Sequence, residues 1–132
     1  MLSARIIIDR SDHHTIYDSA TGLRINEDRD VTIGDHVWIS RDVRVGKGVV
    51  IGRDAIVGQG AVVVSNLDAG TLNVGVPART IRQGVTWSRM MAASLAEMEA
   101  SQRHRDHLER VADLRRRIAR LGDNPESSVP DI

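Results

Sequence analysis

From Ile33 onward the aliphatic residues recur every six positions. Written in sixes the chain reads IGDHVW, ISRDVR, VGKGVV, IGRDAI, VGQGAV, VVSNLD. The first position of each unit is Ile33, Ile39, Val45, Ile51, Val57 and Val63; the fifth is Val37, Val43, Val49, Ala55, Ala61 and Leu67. The second position is glycine at Gly34, Gly46, Gly52 and Gly58. A six-residue period does not keep one stripe on a helix of about 3.6 residues per turn, and the glycines would weaken such a helix. The pattern instead predicts a solenoid. Each unit makes one short strand and one corner, with the first and fifth side chains facing inward. Glycine, or Asp and Asn tolerating unusual dihedrals, lets the backbone turn. Three units close one triangular coil of about eighteen residues, and the coils stack as parallel strands.

Two segments leave this register. Tyr17 to Asp30, YDSATGLRINEDRD, is polar and holds the turn formers Gly22 and Asn26, so it is expected as an external loop. Only about one coil precedes it, which leaves an exposed strand edge. Ser88 to Leu121 contains neither Gly nor Pro and is rich in helix formers. One stripe there is Met91, Leu95 and Met98; another is Leu108, Val111, Leu114, Ile118 and Leu121. The two stripes are expected to pack on each other as a hairpin, or on neighbouring protomers. The organisation read from the sequence is a coil domain over 1–87 with the loop at 17–30, a helical extension over 88–121, and a disordered tail over 122–132.

Composition narrows the function. Lys and Arg number 18, Asp and Glu 18, so the formal net charge is zero and no overall field favours nucleic acid. Arg115, Arg116 and Arg117 have acidic neighbours that weaken their field. Cysteine is absent, which excludes disulfides and a thiol nucleophile. The start, MLSARIIIDR, carries only three consecutive isoleucines before charge returns; neither a signal peptide nor a membrane span is expected, and a cytoplasmic setting is the expectation. Aromatic residues make up 2% of the chain, as a thin aliphatic interior requires.

The histidines are the candidate chemistry. His13 and His14 lie together in SDHHTIYD. A neutral imidazole suits proton abstraction near neutral pH, and loop histidines with no role are the alternative. His36 sits at the fourth place of its unit and should face outward. It has no second histidine a few residues away on the same coil, and His13 and His14 point apart on an extended chain, so no metal site is expected. His104 and His107 fall in a polar helix and should be solvated.

These segments resemble the hexapeptide-repeat acetyltransferases of the xenobiotic and polysaccharide O-acetyltransferase-like branch. SDHHTIYD resembles that family's histidine segment. VTIGDHVWIS resembles one of its coils, NVGVPARTIR its exit motif, and GVTWSR the tryptophan segment that follows. Together they span Ser11 to Arg89. The resemblance implies a mainly β fold, a left-handed parallel β-helix with a C-terminal α-helical extension, assembled as a homotrimer. It implies acetyl transfer from acetyl-CoA to a hydroxylated, sugar-like acceptor, without a metal. His14 maps onto the family's general base, and Asp12 is placed to orient it. Trp38, last in its hexad and expected on the outer surface, falls with Asn26 on the acceptor side; a trimer contact is the alternative for Trp38, and an Asx-turn is the preferred role of Asn26. The thin pantetheine arm would lie along Gly58, Gly60, Ala61, Gly75 and Ala78, with Arg79 and Arg82 meeting the CoA phosphates. Trp87 is expected to cap the apolar end of the coils. Val64 and Ser65 stand where the family commonly has Thr-Lys. The competing class is a non-catalytic β-helix scaffold whose C-terminal helix recruits a partner.

Overall fold

The computed structural model describes residues 1–122. They form two units, one of Met1–Trp87 and one from Ser88 onward. The first contains nine strands: β1 Ile7–Ile8, β2 Thr32–Ile33, β3 Trp38–Ile39, β4 Arg44–Val45, β5 Val50–Ile51, β6 Ile56–Val57, β7 Val62–Val63, β8 Thr71–Val74 and β9 Arg79–Gln83. They are arranged in three sheets, ordered β1-β4-β7, β2-β5 and β3-β6-β8-β9. All pairings are parallel except β8 with β9. Ile33 pairs with Ile51, Ile39 with Val57 and Val45 with Val63, each partner lying three hexads further along.

The inward positions are those of the hexad pattern. Ile39, Val43, Val45, Val49, Ile51, Ala55, Val57, Ala61 and Val63 are all buried. Each fully buried Val or Ile stabilises by about 1.5–3 kcal/mol, so a column of them carries the fold without aromatic rings. Ile33 departs from expectation: it is 36% exposed, whereas Ile51 below it is 1%. The reason is positional. Among the described residues β2 pairs only with β5, so nothing covers its other edge.

The corners also differ from the expected scheme. The left-handed backbone conformation falls on the fourth residue of the hexad: His36 (φ 54°), Asp42 (φ 62°), Gly48 (φ 74°), Asp54 (φ 60°) and Gly60 (φ 73°). The amides of Asp54 and Gly60 then donate to the carbonyls of Asp35 and Arg41 on the preceding coil. The second-position glycines serve close approach between coils. A Cβ on Gly34 would lie 2.8 Å from the Arg53 nitrogen, and one on Gly52 would overlap the Ala69 nitrogen.

After Val63 the ladder shortens: Val57 pairs with Asn73, two residues short of the regular spacing. Asn73 and Thr71 are buried there and bind each other. Asn73 Nδ2 donates to Thr71 Oγ1 (2.9 Å) and to the Ile56 carbonyl (3.2 Å). Thr80 Oγ1 donates to Asn73 Oδ1 (2.6 Å), which ties β9 to β8. The chain reverses through Gly75 (φ 96°) and the cis Val76–Pro77 peptide.

Among its described residues the second unit contains one helix, α1 Leu95–Gly122. Its start is capped: Ser94 Oγ accepts from the Glu97 amide (3.1 Å), and Glu97 Oε2 accepts from the Ala93 amide (2.9 Å), one residue before the cap. The expected hairpin is not formed. Leu95 and Leu114 belong to the same unbroken helix, about 42 Å long, so the two apolar stripes cannot fold onto each other. The tail expected over 122–132 lies, beyond Gly122, outside the described residues.

Candidate functional site

The chain leaves the coil after β1 and returns at β2, and the candidate base lies on this excursion. Two arms run antiparallel. The Ile25 amide donates to the Ile16 carbonyl (3.0 Å), the Asp18 amide to the Leu23 carbonyl (2.9 Å), and Tyr17 bridges Arg24. At the tip Asp18 Oδ1 accepts from the amides of Ala20 (2.9 Å) and Thr21 (2.7 Å), which hold its carboxyl below the usual carboxylate range.

Asn26 fastens the base of the excursion. It is only 7% exposed. Its Oδ1 accepts from the Ile16 amide (2.7 Å), and its Nδ2 donates to the His14 carbonyl (2.7 Å) and to Asp12 Oδ2 (2.9 Å). It therefore makes neither an Asx-turn nor an outward-facing acceptor contact: its amide is spent on the histidine segment. Asp12 is likewise spent elsewhere. Its carboxylate takes Lys47 and Asn26, which hold its pKa below the ordinary value, and it makes no hydrogen bond to the His14 ring. Lys47 sits on the corner after β4, and the Gly48 amide donates to the Arg29 carbonyl (3.3 Å), so both ends of the excursion are moored to one corner. His14 is exposed, its backbone is pinned, and its ring has no hydrogen-bond partner among the described residues. His13 has positive φ (61°) and faces Asp9 at 3.6 Å.

The candidate donor residues gather around the corner between β6 and β7 and along β8 and β9. The Gly58 amide donates to the Asn73 carbonyl (2.8 Å), the Val62 amide to the Gly75 carbonyl (3.1 Å) and the Ala78 amide to the Val62 carbonyl (2.8 Å). Ala61 and Ala78 are buried, so their methyl groups fill the core rather than line a groove. Gly60 is open, with nothing within 4 Å of a Cβ built there. Arg79 and Arg82 lie exposed on β9, opposite Val74 and Leu72. Among the described residues no hydrogen bond or ion pair joins this group to Asp12, His14 and Asn26.

Trp38 and Trp87 form a third cluster. Trp87 does not cap the end of the coils. Its indole stacks on the His36 ring (centroids 4.4 Å apart, planes at 6°) and lies 5.9 Å from Trp38. Trp87 Nε1 donates to the His36 carbonyl (2.6 Å). Trp38 is thereby half-covered instead of standing on the outer surface, and its buried Nε1 has no partner among the described residues. His36 Nδ1 bonds Asp54 Oδ1 (2.7 Å), one coil further along the same corner, and this contact holds the Asp54 carboxyl below its usual range. Repeat reading places His36 correctly but cannot find the fold-back of Trp87, because that contact obeys no period. Among the described residues no group of three or more His, Asp or Glu could hold a metal ion, and no helix is long and apolar enough to cross a membrane.

Residues 30–65 match the bacterial transferase hexapeptide model of six repeats. The fold is similar to the crystal structure of NeuO, a polysialic-acid-specific acetyltransferase, at 31% identity and a TM-score of 0.67 over 76% of this chain and 48% of that one. It is similar to the polysialic acid O-acetyltransferase OatWY at 36% identity and a TM-score of 0.65, over 67% of this chain and 43% of that one. A third likeness is to AntD, an N-acyltransferase from Bacillus cereus in complex with dTDP and coenzyme A, at 25% identity and a TM-score of 0.52, over 62% and 48% of the two chains. No curated protein gives a significant match. The chain carries the bacterial transferase hexapeptide repeat over residues 30–65, and its fold is similar to those of the two polysialic acid acetyltransferases. It spans about half the length of these solved structures.

Proposed function

We propose that the coils wind as a left-handed β-helix, that three chains assemble around it, and that the assembly moves an acetyl group from acetyl-CoA to a hydroxyl of a sugar-like acceptor, in the cytoplasm. The observation that carries this reading is the His14 arrangement: a backbone fixed by Asn26, on an excursion moored at Lys47 and Gly48, presenting an uncommitted imidazole. In the reaction the ring nitrogen accepts the proton of the acceptor hydroxyl as its oxygen attacks the thioester carbonyl. The tetrahedral intermediate collapses, the C–S bond breaks, and the imidazolium returns the proton to the departing CoA sulfur. Asn26 fixes where the imidazole stands, and proximity accounts for much of the rate.

Donor binding is assigned to the corner strip of Gly58, Gly60 and Gly75 with Arg79 and Arg82 on β9. With Ala61 and Ala78 turned inward, they shape the strip only through their backbones. Separation of this strip from His14 within one chain supports a site completed by a neighbouring protomer. Likeness to two enzymes named for polysialic acid supports a polyhydroxylated, anionic sugar as the acceptor. The test is release of CoA thiol from acetyl-CoA, screened over sialic acid polymers, neutral sugars and amines. Release that depends on a sugar supports the proposal; release that depends only on amines moves the acceptor class. The second reading, a non-catalytic scaffold, is favoured by Val64 and Ser65, exposed where the family commonly has Thr-Lys. An assembled protein that releases no thiol with any acceptor would establish it.

A further inference from the structure

We propose that α1 is the docking helix for an acidic amphipathic helix of another protein, which it takes as the second strand of a parallel coiled coil. The inference stands apart from acyl transfer. Its first ground is spacing. The positions Ala100, His104, His107, Val111, Leu114 and Ile118 advance by alternating steps of four and three residues, and Leu121 continues the series in the sequence. This is the inner seam of a coiled coil, widened at its edge by the one apolar flanking residue Leu108. The seam is uncovered: Leu114 is 57% and Ile118 60% exposed.

The second ground is the identity of the seam residues. Val111 and Ile118 occupy one set of seam positions, and Leu114 the other. β-branched residues at the first set with leucine at the second favour two strands over three or four. A threefold bundle of this helix with its own copies is therefore a poor match to the seam.

The third ground is the flanking charge. The positions beside the seam that make interhelical ion pairs hold Arg103, Arg110 and Arg117 on one side and Ser101, Leu108 and Arg115 on the other; no acidic residue occupies them. The acidic residues Glu109 and Asp113 fall on the outer face of this register. Arg110, Arg115 and Arg117 form no ion pair among the described residues, whereas Arg103 has Glu99 at 3.8 Å and Arg116, on the outer face, has Asp113 at 3.5 Å. Two copies of α1 side by side would set arginine against arginine. A partner carrying glutamates at those positions would satisfy them, and charge of this kind selects partners more than it adds affinity. His104 and His107 extend the seam where it is least apolar, and a partner carboxylate there would meet them as donors.

The test uses the full chain and two synthetic helices of the length of α1, with valine and leucine at the seam and either glutamate or lysine at every flanking position. Binding is measured by calorimetry at low and high salt. The glutamate helix is expected to bind one per chain and about tenfold or more tighter than the lysine helix, with the difference shrinking as salt rises. Arg110→Glu with Arg117→Glu should abolish that preference in the variant, since two glutamates then stand beside the two remaining flank arginines, Arg103 and Arg115. Arg116→Glu with Arg120→Glu, equal in charge but outside the flanks, should leave it unchanged. Circular dichroism of each variant shows that the helix is retained. Equal affinity for both peptides, binding of neither, or equal effects of the two charge-reversal pairs overturns the proposal. So does self-association of the chain through α1 in sedimentation, or binding to phosphatidylserine vesicles tighter than to the glutamate helix.

Discussion

His13 and His14 are neighbours in opposite backbone circumstances. His13 adopts the left-handed conformation, and the carbonyl of His14 is held by a buried amide. Replacing His14 by alanine should lower turnover by about two to four decades, as expected for loss of a general base, while the calorimetric Kd for acetyl-CoA stays within twofold or so. The matching change at His13 should leave turnover nearly intact; equal and mild effects at both positions would remove the assignment. Asn26→Ala acts one step back. It leaves the Ile16 amide and the His14 carbonyl without their partner, at a cost of about 1–3 kcal/mol. Turnover should fall with little change in acetyl-CoA affinity, and the Ile16 amide should exchange faster with deuterium; a slow-exchanging Ile16 in the variant would disprove the clamp. Asp12 contributes a pH dependence. Its carboxyl is held below the ordinary value by Lys47 and Asn26, so the mooring is fully present above the unfolded value of about 3.9 and is lost as pH falls through the lower folded value. The Ile16 amide resonance should therefore hold steady until the solution is more acid than that. In Lys47→Met it should begin to move at higher pH than in the parent.

At the scale of elements, the strands were legible and several of their neighbours were not. Ile39, Val45, Ile51, Val57 and Val63 are buried where the six-residue period puts them, because a coil interior has room for one medium side chain per face and repeats that demand in the sequence. The same period misattributes the glycines. The expectation put the corners on second-position glycines, yet Gly52 lies against the next coil's backbone, and it is the fourth-position Gly60 that turns a corner in open space. Gly52→Ala must push backbone aside, whereas Gly60→Ala meets only the strain of a positive φ, about 1 kcal/mol. The thermal midpoint should drop markedly further for Gly52→Ala; equal losses would mean the coils can move apart freely. What the period could not reveal were contacts made once: Asn26 across the excursion, Trp87 folding back on His36, and Asn73 binding Thr71 and Thr80 where the ladder shortens. The helical extension was legible as helix but not as a single span, since two apolar stripes fit a hairpin as well as a rod.

At the scale of the whole molecule, His14 and the β9 arginines belong to separate clusters of one chain. If neighbouring protomers complete each site, two inactive variants should rescue each other. Protomers with His14→Ala, mixed and reassembled with protomers carrying Arg79→Ala and Arg82→Ala, should regain about a quarter of the parent thiol-release rate, the share of boundaries in a cyclic trimer that combine two intact halves. No recovery in verified mixed assemblies would place base and donor site on the same chain.

The strict ladder between coils has a further consequence, for how such a chain can change length. Every strand of the regular part finds its partner three hexads along, so the molecule behaves as an indexed drum. Duplicating three hexads adds one storey and returns everything above to the same bearing. Duplicating one hexad preserves the aliphatic interior yet turns all later faces by a third of a revolution, carrying β9 away from the bearing of the moored excursion. Lengthening of this protein is therefore quantised twice, in sixes for folding and in eighteens for keeping the excursion and β9 in phase.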